Sequence, residues 1–177
     1  MGVILGRGGG AGGVAAAEEY ILIRDEKSAG TQGGTFSSGA DRTRVLNTIV
    51  VDNTTGTPVS LTANDFTLQA GTYRYDISMP FFETSSTNGR LFNVTDATVV
   101  ADSESTSGFC DVASANNQSY GDPTRLIGEF TIASPKTFRC LHHCLITKTT
   151  TGFGPQSAGD AISQKEVFTV VKLWRRD

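Results

Sequence analysis

Between Gly71 and Met79 apolar and polar residues alternate without a break. Tyr73, Tyr75, Ile77 and Met79 fall on one side, and Thr72, Arg74, Asp76 and Ser78 on the other. A period of two is the signature of a half-buried β-strand. Gln69-Ala70-Gly71 supplies a turn before it, with glycine at the position that needs backbone freedom. Pro80 closes it, because proline cannot donate to a β-ladder. A face led by two tyrosines carries a large apolar area and two hydroxyls that want partners. It suits the inside of a sandwich or a subunit interface.

The same pattern predicts strands over 20–24, 44–52, 59–61, 66–68, 90–94, 97–101, 125–132, 137–147 and 166–174. Between them lie Gly/Ser-rich loops over 28–41 and 149–164, an NTTG turn at 53–56 and a long polar loop over 102–122. No segment of helical period exceeds about three turns, although 11–20 has room for one or two. Roughly eight to ten closely spaced strands without helical crossovers imply an antiparallel sandwich or barrel.

The last strand, EVFTVVKLW, differs from the others. Val167, Val171 and Leu173 share one face with Thr169, while Phe168, Val170 and Trp174 share the other with Lys172. A strand in a two-layer sandwich buries one face inside its own subunit. The second apolar face is expected to be covered by another subunit, or by a loop or the N-terminal segment.

Composition narrows the class. The chain has 177 residues, enough for one domain with a real core and a tail. Its net charge of −3 gives no global attraction to nucleic acid or anionic membranes, and no apolar run approaches the length of a membrane-spanning helix. Residues 1–17 comprise an apolar tip (Val3, Ile4, Leu5), a glycine-rich tract containing Arg7, and a short alanine run. They lack the basic n-region of a secretory signal. They read as an arm that orders against a neighbour, so the expected division is an arm over 1–19 and a β-domain over 20–177. Three cysteines, an odd number, argue against a disulfide framework. The sequons at Asn53, Asn93 and Asn117 are then incidental.

No motif demands catalysis. Gly8–Gly13 matches G-x-G-x-x-G, but no buried strand precedes it and no βαβ unit follows, so composition explains the match. Cys140-Leu141-His142-His143-Cys144 has metal-ligating residue types. On a strand, however, Cys140 and Cys144 are ~13 Å apart, too far for one tetrahedral ion. Small buried thiols beside a packed or exposed histidine pair are the expected reading. No nucleophile elbow occurs, and no two carboxylates stand out as a glycosidase pair. No catalytic residue, metal or cofactor is assigned.

Several segments in order, FTLQAGTYRYDIS, GRLFNVTD, TRLIGEFTIASPKTFRCLHH, GFG and EVFTVVKLW, resemble the small β-rich domains of tailed-phage fibres and head decorations. Their fold is similar to the jelly roll of the tumour-necrosis-factor and complement-C1q group. The resemblance covers about residues 43–174 and leaves out the arm. It implies a homotrimer with one sheet of each subunit facing a three-fold axis. By position, Tyr73, Tyr75, Phe168, Val170 and Trp174 become interface candidates. The expectation is a non-enzymatic virion protein made in the bacterial cytoplasm. In this reading a trimeric decoration (cement) protein contacts the major capsid protein through Val3, Ile4, Leu5 and Arg7. The short arm favours this over the alternative, a receptor-binding knob of a short tail fibre that joins a tail protein to a host surface receptor. A secreted C1q-like module and a glycosidase are weaker alternatives.

Overall fold

The computed structural model describes residues 18–108, 122–157 and 164–176. The arm candidates Val3, Ile4, Leu5 and Arg7, together with Cys110, lie outside them. The described residues form strands, turns and no helix: β1 (Glu19–Lys27), β2 (Arg42–Thr43), β3 (Thr48–Asp52), β4 (Ser60–Thr62), β5 (Asp65–Leu68), β6 (Gly71–Met79), β7 (Ser86–Asn93), β8 (Thr98–Asp102), β9 (Thr106–Ser107), β10 (Thr124–Ile132), β11 (Lys136–Cys144) and β12 (Glu166–Arg176). They make two antiparallel sheets. One has the order β10-β6-β12-β1-β3. The other has β4-β5-β11-β7-β8, with β2 on β11 and β9 on β7. The result is an all-β sandwich whose chain passes repeatedly from one sheet to the other, a path compatible with a jelly roll.

The predicted strand over 44–52 is instead two. β2 pairs with β11 in one sheet and β3 with β1 in the other, so residues 44–47 cross the sandwich. Alternation continues through the crossing because Arg44 and Leu46 turn into the interior. A period of two reports burial, not which sheet a residue belongs to. β9, a two-residue strand inside the predicted long loop, carries too short a pattern to be read.

Ile21, Ile23, Leu126, Val171 and Leu173 from the first sheet meet Phe66, Leu68, Leu91 and Phe138 from the second. Phe130 ties the layers, with its ring centroid 5.0 Å from Phe138 and 5.7 Å from Tyr73. Each such side chain taken fully from water contributes roughly 1.5–3 kcal/mol.

The two ends of the sandwich differ. At one end Glu19 lies opposite Arg175 and Gly71 opposite Ile132, so β1 begins and β12 finishes there. At the other end the loops over 28–41, 80–85 and 145–157 knit together. Gly33 N–H donates to Gly154 O (2.9 Å), Phe36 and Lys148 exchange backbone bonds (2.9 Å each), and Phe82 N–H reaches Gly152 O (3.1 Å). Beneath them Phe36, Phe81, Cys144 and Phe153 form a second apolar cluster. Gly152 is required there, since a Cβ would sit 2.5 Å from Lys148 O and 2.7 Å from Phe36 N.

Candidate functional site: the outer face of the five-stranded sheet

The polar positions of β6 and the second face of β12 lie side by side on the outside of the five-stranded sheet. Strand register places them in rows. The first row runs Arg125, Ser78, Val170, Arg24, and the second Ile127, Asp76, Lys172, Leu22. The third is Glu129, Arg74, Trp174, Tyr20, and β10, β6 and β12 add Thr131, Thr72 and Arg176 below it.

Apolar and charged groups are interleaved on this face. Ile127 is 65% exposed. Trp174 stacks beside Tyr20 at 5.5 Å, with the Arg74 guanidinium 4.8 Å over its ring. The charges are mostly tied in pairs. Arg125 grips Asp76 with two bonds of 2.8 and 2.6 Å, and Arg176 reaches Glu129 at 2.9 Å. The hydrogen bonds from Arg125 hold the Asp76 carboxyl below its ordinary range. Glu18, the first described residue, pairs with Arg74 (3.6 Å) and Arg176 (4.0 Å). The chain therefore enters the β-domain at the edge of this face.

The interface candidates separate. Val170 and Trp174 are on the outer face, half-buried. Tyr73 and Tyr75 are not. They are 1% and 5% exposed inside the sandwich, packed on Phe130, and the Tyr73 hydroxyl donates to Gln69 O at 3.0 Å. This corrects the interface expectation for both. The alternation that made a tyrosine face is the core face, and the half of β6 left for a partner is Thr72, Arg74, Asp76 and Ser78. Phe168 is corrected as well. It points to the outer side but is 5% exposed, covered by its own subunit through Gly154 and the Lys27 ammonium, 5.0 Å over the ring. Among the described residues, cover by a loop is thus realised at one end of β12 and not at the other.

Cys140, His142 and Cys144 share the inner face of β11. Cys140 belongs to the main core and Cys144 to the cluster under the loops, and both thiols are free. Burial pushes them up to about 12 and about 11, so neither is a thiolate at neutral pH. His142 Nε2 lies 2.8 Å from the Thr124 hydroxyl, but both residues are fully buried, so this nucleophile-and-base spacing is out of a substrate's reach. His143 is exposed and lies 3.4 Å from Asp41. The Asn93 sequon is closed, because Asn93 is buried and its amide donates to Asp96 at 2.9 Å.

Sequence reasoning missed Arg24, Arg125 and Ile127. All three stand out only once four strands are set in register. No protein-family model matches the chain, and no curated protein matches it in sequence.

Proposed function

We propose that this is a structural virion protein, a homotrimeric jelly-roll decoration protein that seats on a phage head through its N-terminal arm. The observation that carries the reading is the outer sheet face. It is built on four paired strands and presents Ile127, Val170, Trp174 and Tyr20 among ion pairs. Mixed faces of this kind suit a subunit contact with an apolar centre and a polar rim. The sheet order is consistent with the resemblance drawn from the sequence motifs. Glu18 supports the arm's role. Three copies around an axis would send their arms out at one end, where weak contacts with the shell add through effective concentration.

Two results test it. Ile127→Asp sets a carboxylate on the exposed β10 edge of the face and is expected to weaken subunit association by roughly 1 kcal/mol or more, seen as monomer in sedimentation velocity; an unchanged oligomer removes the interface. Deletion of residues 1–13 is expected to leave the folded oligomer intact and abolish its co-sedimentation with capsids. Full binding by the truncated chain defeats the anchoring role.

The opposite end favours one second reading, a tail-fibre knob whose loops bind a host receptor. The loops over 28–41, 80–85 and 145–157 gather there, away from Glu18, with Leu145 and Ile146 exposed. Copy number separates the two: hundreds per particle on a head, a few trimers on a tail.

A further inference from the structure

The first two rows of the outer face enclose a concavity of about 370 Å³, lined by Arg24, Asp76, Ser78, Arg125, Val170 and Lys172. We propose that it is an oxyanion-binding site for a phosphate-class group, held by Arg24 and Lys172 with the Ser78 hydroxyl between them. The site is complete within one subunit and shares Val170 with the face proposed above as the subunit contact, so it is the free subunit that presents it.

Charge comes first. Three cations face one carboxylate in a protein whose net charge is −3. That carboxylate, Asp76, is engaged on both oxygens by Arg125 and also attracts Lys172, so a single carboxylate is shared among the cations of the concavity. Lys172 lies opposite Asp76 on the neighbouring strand and is attracted to it. Arg24 touches Glu26 only through Nη1 at 3.6 Å, and its Nε is buried with no hydrogen-bond partner. A buried donor without an acceptor is costly.

Geometry comes second. Arg24, Val170, Ser78 and Arg125 sit opposite one another on β1, β12, β6 and β10, and Lys172 is one row away. Donors fixed on a paired sheet lose little freedom on binding, which favours affinity. Guanidinium and ammonium donors with a hydroxyl match the acceptor oxygens of phosphate or sulfate. The volume exceeds that of a bare ion and admits a phosphate carried on a small organic group. Free phosphate and a phosphate ester therefore share the chemistry, and the experiment must tell them apart.

The test is NMR titration of the full chain at low ionic strength, with inorganic phosphate, a sugar monophosphate and chloride in parallel. The expected result is saturable shifts of the amides of Arg24, Ser78, Val170 and Lys172 with phosphate, and none that saturate with chloride at equal ionic strength. Tighter binding of the monophosphate than of phosphate assigns the site to an ester; equal binding assigns it to the free ion. Lys172→Gln and Arg24→Gln should each weaken binding roughly tenfold or more. Ser78→Asp should abolish it by placing a carboxylate in the concavity. Arg176→Gln, a cation on the same face outside the concavity, should leave it unchanged. Identical unsaturable shifts with phosphate and chloride would overturn the site. So would exclusion of phosphate from an oligomer that Lys172→Gln dissociates, since the cations would then belong to a subunit contact.

Discussion

Arg44→Ala is expected to remove about 3–5 kcal/mol of folding stability, the range for deleting one member of a buried charged pair. Arg44 is 1% exposed and spans the sandwich interior where the chain crosses between sheets. Its Nε donates to the Thr169 hydroxyl at 2.9 Å, and Nη2 reaches Phe153 O at 3.3 Å. The guanidinium lies 4.2 Å over the Phe153 ring, while Nη1 has no partner. Burial pulls its pKa down to about 9, with Asp25 acting against that pull, so it remains charged at neutral pH.

Asp25, also 1% exposed, is pushed up by burial and held back by Lys27 and by Arg44. Removing Arg44 strips Asp25 of one counter-charge and leaves a cavity beneath Phe153. Arg44→Met keeps the volume and should cost less. Adding Asp25→Asn to Arg44→Met should recover part of the loss, with a coupling of about 0.5–3 kcal/mol between the sites. Urea unfolding of the four proteins measures the cycle. Additive losses would show that the two charges do not depend on each other.

Acid should destabilise the fold through His142, beginning well above the range where carboxylates titrate. The ring is fully buried between Phe36 (4.6 Å) and Phe81 (6.3 Å). Nε2 faces Thr124, and the hydroxyls of Thr87, Thr106 and Thr124 form a triangle with sides of 2.7, 2.9 and 3.0 Å. Three hydroxyl hydrogens satisfy the three sides, so the fourth contact is filled when Nε2 carries the proton and donates to Thr124. Nδ1 is then a bare lone pair, which agrees with its having no partner. A second proton on Nδ1 would place an unpaired donor and a charge among aromatic rings.

Burial, then Arg44 and His143, hold the His142 pKa well below 6.5. In the unfolded chain the imidazole takes up a proton near pH 6.5; in the folded chain it does not. The unfolded state therefore binds more protons below that pH. The contribution is fully present above pH 6.5 and is lost as pH falls toward the folded value. The slope should approach about 1.4 kcal/mol per pH unit for this one proton. His142→Leu should be less stable at neutral pH but lack that slope between pH 6.5 and 5. Equal slopes in the two proteins would sink the assignment. Glu19, Glu26 and Glu166, all held low in the fold, add their own acid loss only below about pH 4.5.

Strand content was legible in the chain because a period of two survives any arrangement of sheets. The Gly71–Met79 alternation, its turn and its proline stop all follow from the chain alone. The all-β class followed from their number and spacing. The outer-face cluster was half legible. The two-sided apolar pattern of β12 pointed to a surface needing cover, and Val170 and Trp174 are there. Tyr73 and Tyr75 fit that surface as well as a core, since large apolar residues suit both, and sequence alternation cannot tell which side of a sheet faces its partner sheet.

The sequence by itself determined which residues share a face of each strand, where the chain turns, and that the domain is built of β-strands. Only the tertiary structure decided which face is inside. It also decided that residues 44–47 cross the sandwich and carry a buried arginine with them. It set Arg24, Lys172, Ser78 and Arg125, up to 148 positions apart in the chain, around one concavity. The physical reason is locality. A strand's side-chain period comes from backbone geometry within a few residues, whereas register between strands is chosen by the packing of the whole core.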